Sequence, residues 1–203
     1  MPKLFSIGGF VAAAVLIVFG VAVIAIGAVG RSYVRDQLAN EQIVGSDDMN
    51  PKDTNAAIKE AGLKGVTAPS CTVAGEKVDT GKEAKCFADY MRIHTLEGTG
   101  GLTYAQMPRY ATDDGKGTNE ASQASKNPDG SPKSNDARNI WVTETALTTA
   151  LYTSYFAENV ALFAIIVGIA MLLVGIGFVV FLVFGRRQTT TAAESEPRTA
   201  VAS

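Results

Sequence analysis

An unbroken apolar run from Val160 to Phe184 constrains this chain more than any other feature. No charged, amide or hydroxyl side chain interrupts it, and Gly185-Arg186-Arg187 closes it. About 20 such residues cross the hydrocarbon of a bilayer, so the run reads as a transmembrane helix with length to spare. A comparable run, Leu4 to Gly30, opens the chain. It is too long for the apolar segment of a cleaved signal peptide and reads as an uncleaved anchor. Between the runs lies one region, residues 31–158, enough for a single small domain.

Charge suggests an orientation. Residues 31–158 carry 14 Lys and Arg against 18 Asp and Glu, whereas Arg186-Arg187 abuts the second run. Basic residues favour the cytoplasmic side, which predicts both termini inside and residues 31–158 outside the membrane. Arg31 and Arg35 follow the first run on the proposed outer side and pull the other way. A connection of this length can cross largely regardless of its charges.

Both runs carry small residues at seven-residue spacing: Ser6, Ala13, Gly20 and Gly27 in the first, Ala161, Gly168 and Gly175 in the second. In lipid, helices associate through close backbone approach along such stripes. The expectation is an antiparallel hairpin in which Gly27 meets Ala161, Gly20 meets Gly168 and Ala13 meets Gly175. Self-association through the same faces is the alternative. The runs contain no ionisable or amide side chain, which disfavours an ion or proton pathway.

The stripe extends beyond the apolar runs through Val34 and Leu38, and backwards through Ser154, Leu147 and Ile140. This predicts a paired stalk over residues 31–43 and 139–158. Tyr152, Tyr155 and Phe156 fall where an interfacial aromatic belt belongs. A mostly helical cap is expected over residues 50–110. Asn50-Pro51 starts one helix and Gly62 stops it. The main helix, Thr80 to about Leu96, presents Ala84, Phe87, Ala88 and Met91 on one face. Residues 111–138 contain no aromatic and no apolar side chain larger than Ala and Pro, so a flexible loop is expected there. The tail, 186–203, is expected to be cytoplasmic and disordered.

Cys71 and Cys86 are the only cysteines. An even count in an oxidising compartment favours a disulfide, and their spacing fits neither a redox Cys-x-x-C nor a zinc pair. His94 is the single histidine and could pair with Asp89, Glu97 or Asp113. No His-x-x-x-His pattern, phosphate cradle or nucleophile elbow is present, so no catalytic, metal or cofactor set is expected. Lys and Arg interleave with acids, leaving no nucleic-acid footprint.

Asp36-Gln37-Leu38-Ala39, Gln42-Ile43-Val44, Ala74-Gly75, Thr80-Gly81, Ala88-Asp89, His94, Gly100-Gly101 and Thr103-Tyr104 together resemble a group of actinobacterial two-span membrane proteins. These are often labelled "aromatic ring-opening dioxygenase LigA". The likeness covers the two anchors and about 70 residues of the cap, and the Cys pair and the polar insert 111–138 depart from it. The label implies non-haem iron held by two histidines and a carboxylate, a set one histidine cannot supply.

The sequence thus predicts an all-α membrane protein: a two-helix transmembrane hairpin extended into a stalk and bearing a small helical cap outside. Its expected role is that of a non-enzymatic accessory protein of the cell envelope, its partners being the bilayer and another envelope membrane protein or itself. The alternative is a module holding a small ligand or lipid between the main cap helix and the stalk, in a cleft lined by Phe87, Met91 and Tyr104. A remoter alternative is an enzyme using His94.

Overall fold

The computed structural model describes the backbone of residues 2–194 and the side chains of residues 7–184. The described residues form four helices and no strand: α1 (Pro2–Asn40), α2 (Pro51–Glu60), α3 (Gly81–Gly98) and α4 (Asp136–Glu194). Two of them, α1 and α4, are long and apolar enough to cross a membrane. The chain divides into two compact units, Met1–Arg31 with Val160–Ser203, and Ser32–Asn159.

In the first unit, glycines set the separation of the two apolar helices. A Cβ on Gly20 would lie 2.8 Å from the Gly168 carbonyl oxygen, and one on Gly27 would lie 2.7 Å from that of Ala161. A Cβ on Gly175 would stand 3.1 Å from the Ala13 oxygen and 2.7 Å from the Ile17 side chain. Backbones this close gain dispersion contacts that a larger side chain would forbid. Ala13 and Ala161 are buried in the same seam, whereas Val18, Phe19, Ile26, Phe163 and Phe181 are exposed. The side chain of Ser6 lies outside the described residues, as do residues 195–203. Helix α4 runs to Glu194, so residues 188–194 are helical where a disordered tail is expected from composition. Extending an existing helix adds one hydrogen bond per residue fixed, and Ala192, Ala193 and Glu194 are good helix formers.

In the second unit, α3 is the central element. Thr80 caps it: its hydroxyl accepts from Glu83 N while the Glu83 carboxylate accepts from Thr80 N, a reciprocal capping box. One side of α3 contributes Ala84 and Ala88 to a core with Leu38 of α1, Leu151 of α4 and Val78. The other contributes Cys86 and Tyr90 to a second core with Met49 and Val73. Phe87 and Met91 pack against both. The single buried face read from the sequence is therefore incomplete. Tyr90 is fully buried, and its hydroxyl donates to the Cys71 carbonyl. Cys71 and Cys86 form a disulfide with Cα atoms 6.2 Å apart, fastening that loop to the same helix face. Closing a loop of this size contributes about 3 kcal/mol.

Helix α2 begins at Asn50, whose side chain accepts from Lys52 N and Asp53 N, and Pro51 occupies its first turn. Between α1 and α2 the chain turns at Gln42, whose φ of 53° is positive, and enters a narrow pass at Gly45. A Cβ there would fall 1.9 Å from the Val73 carbonyl oxygen. This places Ile43 against the α3 core, with Val78 N donating to its carbonyl.

The stalk differs from the paired helices expected from the seven-residue pattern. Ile140 and Leu147 are 53% and 50% exposed, and the buried series of α4 in this unit is Glu144, Thr148, Leu151 and Glu158. The partner for that series is α3 as well as α1, so the pattern that suits two helices no longer selects the inner face. Glu158 is the joint. Its Oε1 accepts from Arg35 Nε at 2.8 Å, and its Oε2 accepts from Gly81 N at 2.6 Å, at the first turn of α3. Gly81 permits this approach, since a Cβ would lie 2.8 Å from the Tyr155 Cα.

Residues 111–134 contain no helix but follow a defined path. Tyr110 and Thr118 exchange backbone hydrogen bonds, Ala111 N donates to Lys133 O, and Lys133 N to Ser125 O. Ser125 Oγ donates to Asp113 and Ser131 Oγ to Asp129, both at 2.6 Å. The flexible loop expected from the lack of apolar residues is thus organised by hydrogen bonds that composition does not reveal.

Replacing Glu158 with Ala leaves the Arg35 guanidinium and the buried Gly81 N–H without their acceptor. The expected loss is about 2 kcal/mol, mostly from the unsatisfied Gly81 N–H because Arg35 is partly exposed, read as a lowered thermal midpoint of the detergent-solubilised chain. An unchanged midpoint contradicts the joint.

Candidate functional site

The second unit contains an apolar cleft between segments of α1, α3 and α4, with about 610 Å³ of open space. Leu38 and Leu151 are its buried floor, Phe87 and Met91 of α3 form one wall, and Leu147, Ala150 and Ile43 complete the lining. Polar groups are confined to Gln37, Glu41 and Ser154. The volume lies within the roughly 300–1,000 Å³ usual for ligand sites. Tyr104, expected beside Phe87 and Met91, does not line the cleft; Arg138 stacks on its ring instead, 4.0 Å from the centroid. Of the residues that line the cleft, sequence reasoning names only Phe87 and Met91 for it; Leu38, Leu147 and Ser154 belong to the expected stalk stripe, and Ile43 and Ala150 have no signal of their own. One follows the turn at Gln42 and the other is an exposed Ala on α4.

The His94 neighbourhood is not the one expected. His94 Nε2 lies 3.4 Å from Asp48 Oδ2, on the loop that precedes α2. The Ser46 hydroxyl donates to Asp48 at 2.6 Å and, with a smaller contribution from His94, holds that carboxyl below the usual Asp range. Asp89 and Asp113 are engaged otherwise. Asp89 accepts from Lys85 at 2.6 Å and from the Tyr152 hydroxyl at 2.8 Å, and Asp113 accepts from Ser125. One Glu97 oxygen is buried with no hydrogen-bond partner. Helical spacing puts Asp89 and Glu97 on the same element as His94, but a loop delivered the partner. Among the described residues, no three His, Cys, Asp or Glu side chains are grouped to hold a metal ion.

A polar cluster joins α3 to α4 beside the cleft. Arg92 lies 4.6 Å from the centroid of the Trp141 ring and its Nε is 3.0 Å from Glu144 Oε1. That contact is an ion pair by distance without the alignment of a hydrogen bond. Tyr152, expected in an aromatic belt, is committed to Asp89. Burial, then the bond to Asp89 and the charge of that carboxylate, push the phenol up to about 12. Phe156, by contrast, is 67% exposed.

Fold and site together define an all-helical protein with two helices of membrane-spanning length and a disulfide-tied helical unit that borders an open apolar cleft. Among known proteins, no family model matches the chain, and neither a curated protein nor a solved structure is significantly similar to it.

The raised phenol of Tyr152 has a pH consequence. A group whose folded pKa exceeds its unfolded value stabilises the fold below the unfolded pKa, here near 10, and loses that contribution as pH rises toward about 12. Tyr152→Phe is therefore expected to flatten the loss of stability between about pH 10 and pH 12. Thermal melts across that range check it, and parallel curves for the two proteins would refute it.

Proposed function

We propose that this chain is a two-span membrane protein whose outer helical unit binds an amphiphile with a linear apolar chain. The observation that carries the reading is the cleft, lined mostly by apolar side chains with Gln37, Glu41 and Ser154 as its polar groups. An occupant that buries an alkyl or isoprenoid chain against Phe87, Met91 and Leu151 gains roughly 25 cal/mol per Å² removed from water. Its polar end would meet Gln37, Glu41 and Ser154. The Glu41 carboxylate favours a neutral or cationic end over an anionic one.

The membrane setting is part of the same proposal. The glycine contacts between the apolar parts of α1 and α4 support an antiparallel transmembrane hairpin. The Arg186-Arg187 pair supports cytoplasmic termini, and the disulfide supports an oxidising space for residues 31–158. The resemblance to actinobacterial two-span proteins fits this placement. The dioxygenase label does not fit the residues, because His94 has one carboxylate and no second histidine beside it.

A second reading, an accessory protein that docks on another envelope membrane protein, is favoured by the exposed Ile140, Val142 and Phe156 on α4. The two readings part at Ala150, which borders the cleft. Ala150→Trp fills the cleft without replacing a core residue. In nanodiscs, wild-type protein is expected to bind a fluorescent monoacylglycerol saturably, and the variant at least about tenfold more weakly at an unchanged melting temperature. Equal binding by the two proteins would sink the cleft reading and leave the docking one.

A further inference from the structure

A second concavity, separate from the apolar cleft, forms where the polar insert meets the start of α4. It holds about 410 Å³ and is lined by Arg109, Arg138, Tyr104, Ser134, Asn135 and Asn139 among others, with no carboxylate in its lining. The insert builds it. Asn135 N donates to the Arg109 carbonyl at 3.0 Å, and Asn135 Nδ2 donates to the Pro108 carbonyl at 3.0 Å. Asn135 Oδ1 also accepts from Ala137 N, and its carbonyl accepts from Arg138 N at 3.1 Å. One asparagine therefore fixes the backbone at both arginines. Tyr104 holds the side chain of one, because the Arg138 Cζ sits over its ring, 4.0 Å from the centroid. Among the described residues the Arg138 guanidinium donates no hydrogen bond, so its N–H groups are available to a ligand.

The charge pattern singles out this place. Residues 31–158 are acidic in balance. Arg35 pairs with Glu158 and Arg92 with Glu144. Arg109 and Arg138 make no ion pair with a described carboxylate, and the same concavity holds both. Asp136, two residues before Arg138, does not line it.

We infer that Arg109 and Arg138 form an anion site that takes a phosphate group. The guanidinium edge matches the oxygens of a phosphate in two parallel charged hydrogen bonds, which an ammonium cannot make. Ser134, Asn135 and Asn139 add neutral polar groups around it. The group can arrive on a soluble phosphomonoester or on a phospholipid head, and the chemistry of recognition is the same.

The test uses the full chain in nanodiscs of phosphatidylcholine, with the arginine Nε–H signals followed by NMR. Inorganic phosphate is titrated in one arm, and phosphatidylglycerol is mixed into the nanodisc in the other. The expected result is a saturable shift of the Arg109 and Arg138 signals, with Arg92 unmoved as the internal control. A response to inorganic phosphate assigns a soluble ligand. A response to phosphatidylglycerol alone assigns a lipid head. Affinity is expected to fall about tenfold or more in Arg109→Gln/Arg138→Gln. No shift in either arm, equal shifts with chloride at the same ionic strength, or undiminished binding by a folded double variant would each overturn the site. The wild-type titration decides by itself if the variant does not fold.

Discussion

The carboxylate of Glu158 is the constraint on which the helical unit of residues 32–159 depends. One oxygen holds Arg35 of α1 and the other receives the backbone N–H of Gly81, so a single side chain ties three helices. The arrangement is electrostatically consistent. A helix start exposes unpaired N–H groups and a partial positive charge, and a buried carboxylate satisfies one and is stabilised by the other. An acid with so little solvent around it would be costly alone, and Arg35 supplies the compensating charge. Gly81 completes the logic, for any Cβ there would collide with Tyr155 and with the carboxylate itself.

The cleft follows from that joint. Near Glu158 the glycine brings α3 and α4 into backbone contact, while further along α3 the bulk of Phe87 and Met91 faces the small Ala150 and the outward-turned Leu147. Large side chains opposite a small one leave a gap unless another group fills it. The disulfide and Tyr90 fasten the far side of α3 to the loop at Cys71, so the helix is held on both sides. A wall braced in this way can border open apolar space without closing over it.

Much of this was legible in the chain and some was not. The two apolar runs announce themselves by length, the start of α2 by Asn50-Pro51, and the disulfide by an isolated pair of cysteines. The periodic reading failed above the apolar runs because it assumed one partner for α4. With α3 also present, Glu144 and Glu158 turn inward and Ile140 turns out, and hydropathy alone would never bury two acids. Each is buried and paired with a partly exposed arginine, 123 residues away in the case of Arg35 and Glu158, for which local spacing carries no signal. The partner of His94 was missed for a related reason. Asp48 comes from a loop whose path depends on the positive φ at Gln42 and the pass at Gly45.

The polar insert shows where composition misleads. Absence of apolar residues suggests absence of order, since ordering costs about 1–2 kcal/mol per residue with no burial to offset it. Yet Ser, Thr, Asn and Asp can satisfy backbone groups locally, and glycines at 115, 117 and 130 supply the positive φ angles that tight turns need. The same residues that cannot build a core can therefore build a scaffold for polar side chains. Asn135 illustrates it: one amide links the segment before the insert to the first turn of α4 and so sets the two unpaired arginines at the edge of one concavity. A segment with no side chain in either apolar cluster of the unit is, on this account, what holds the two flanking charges in place.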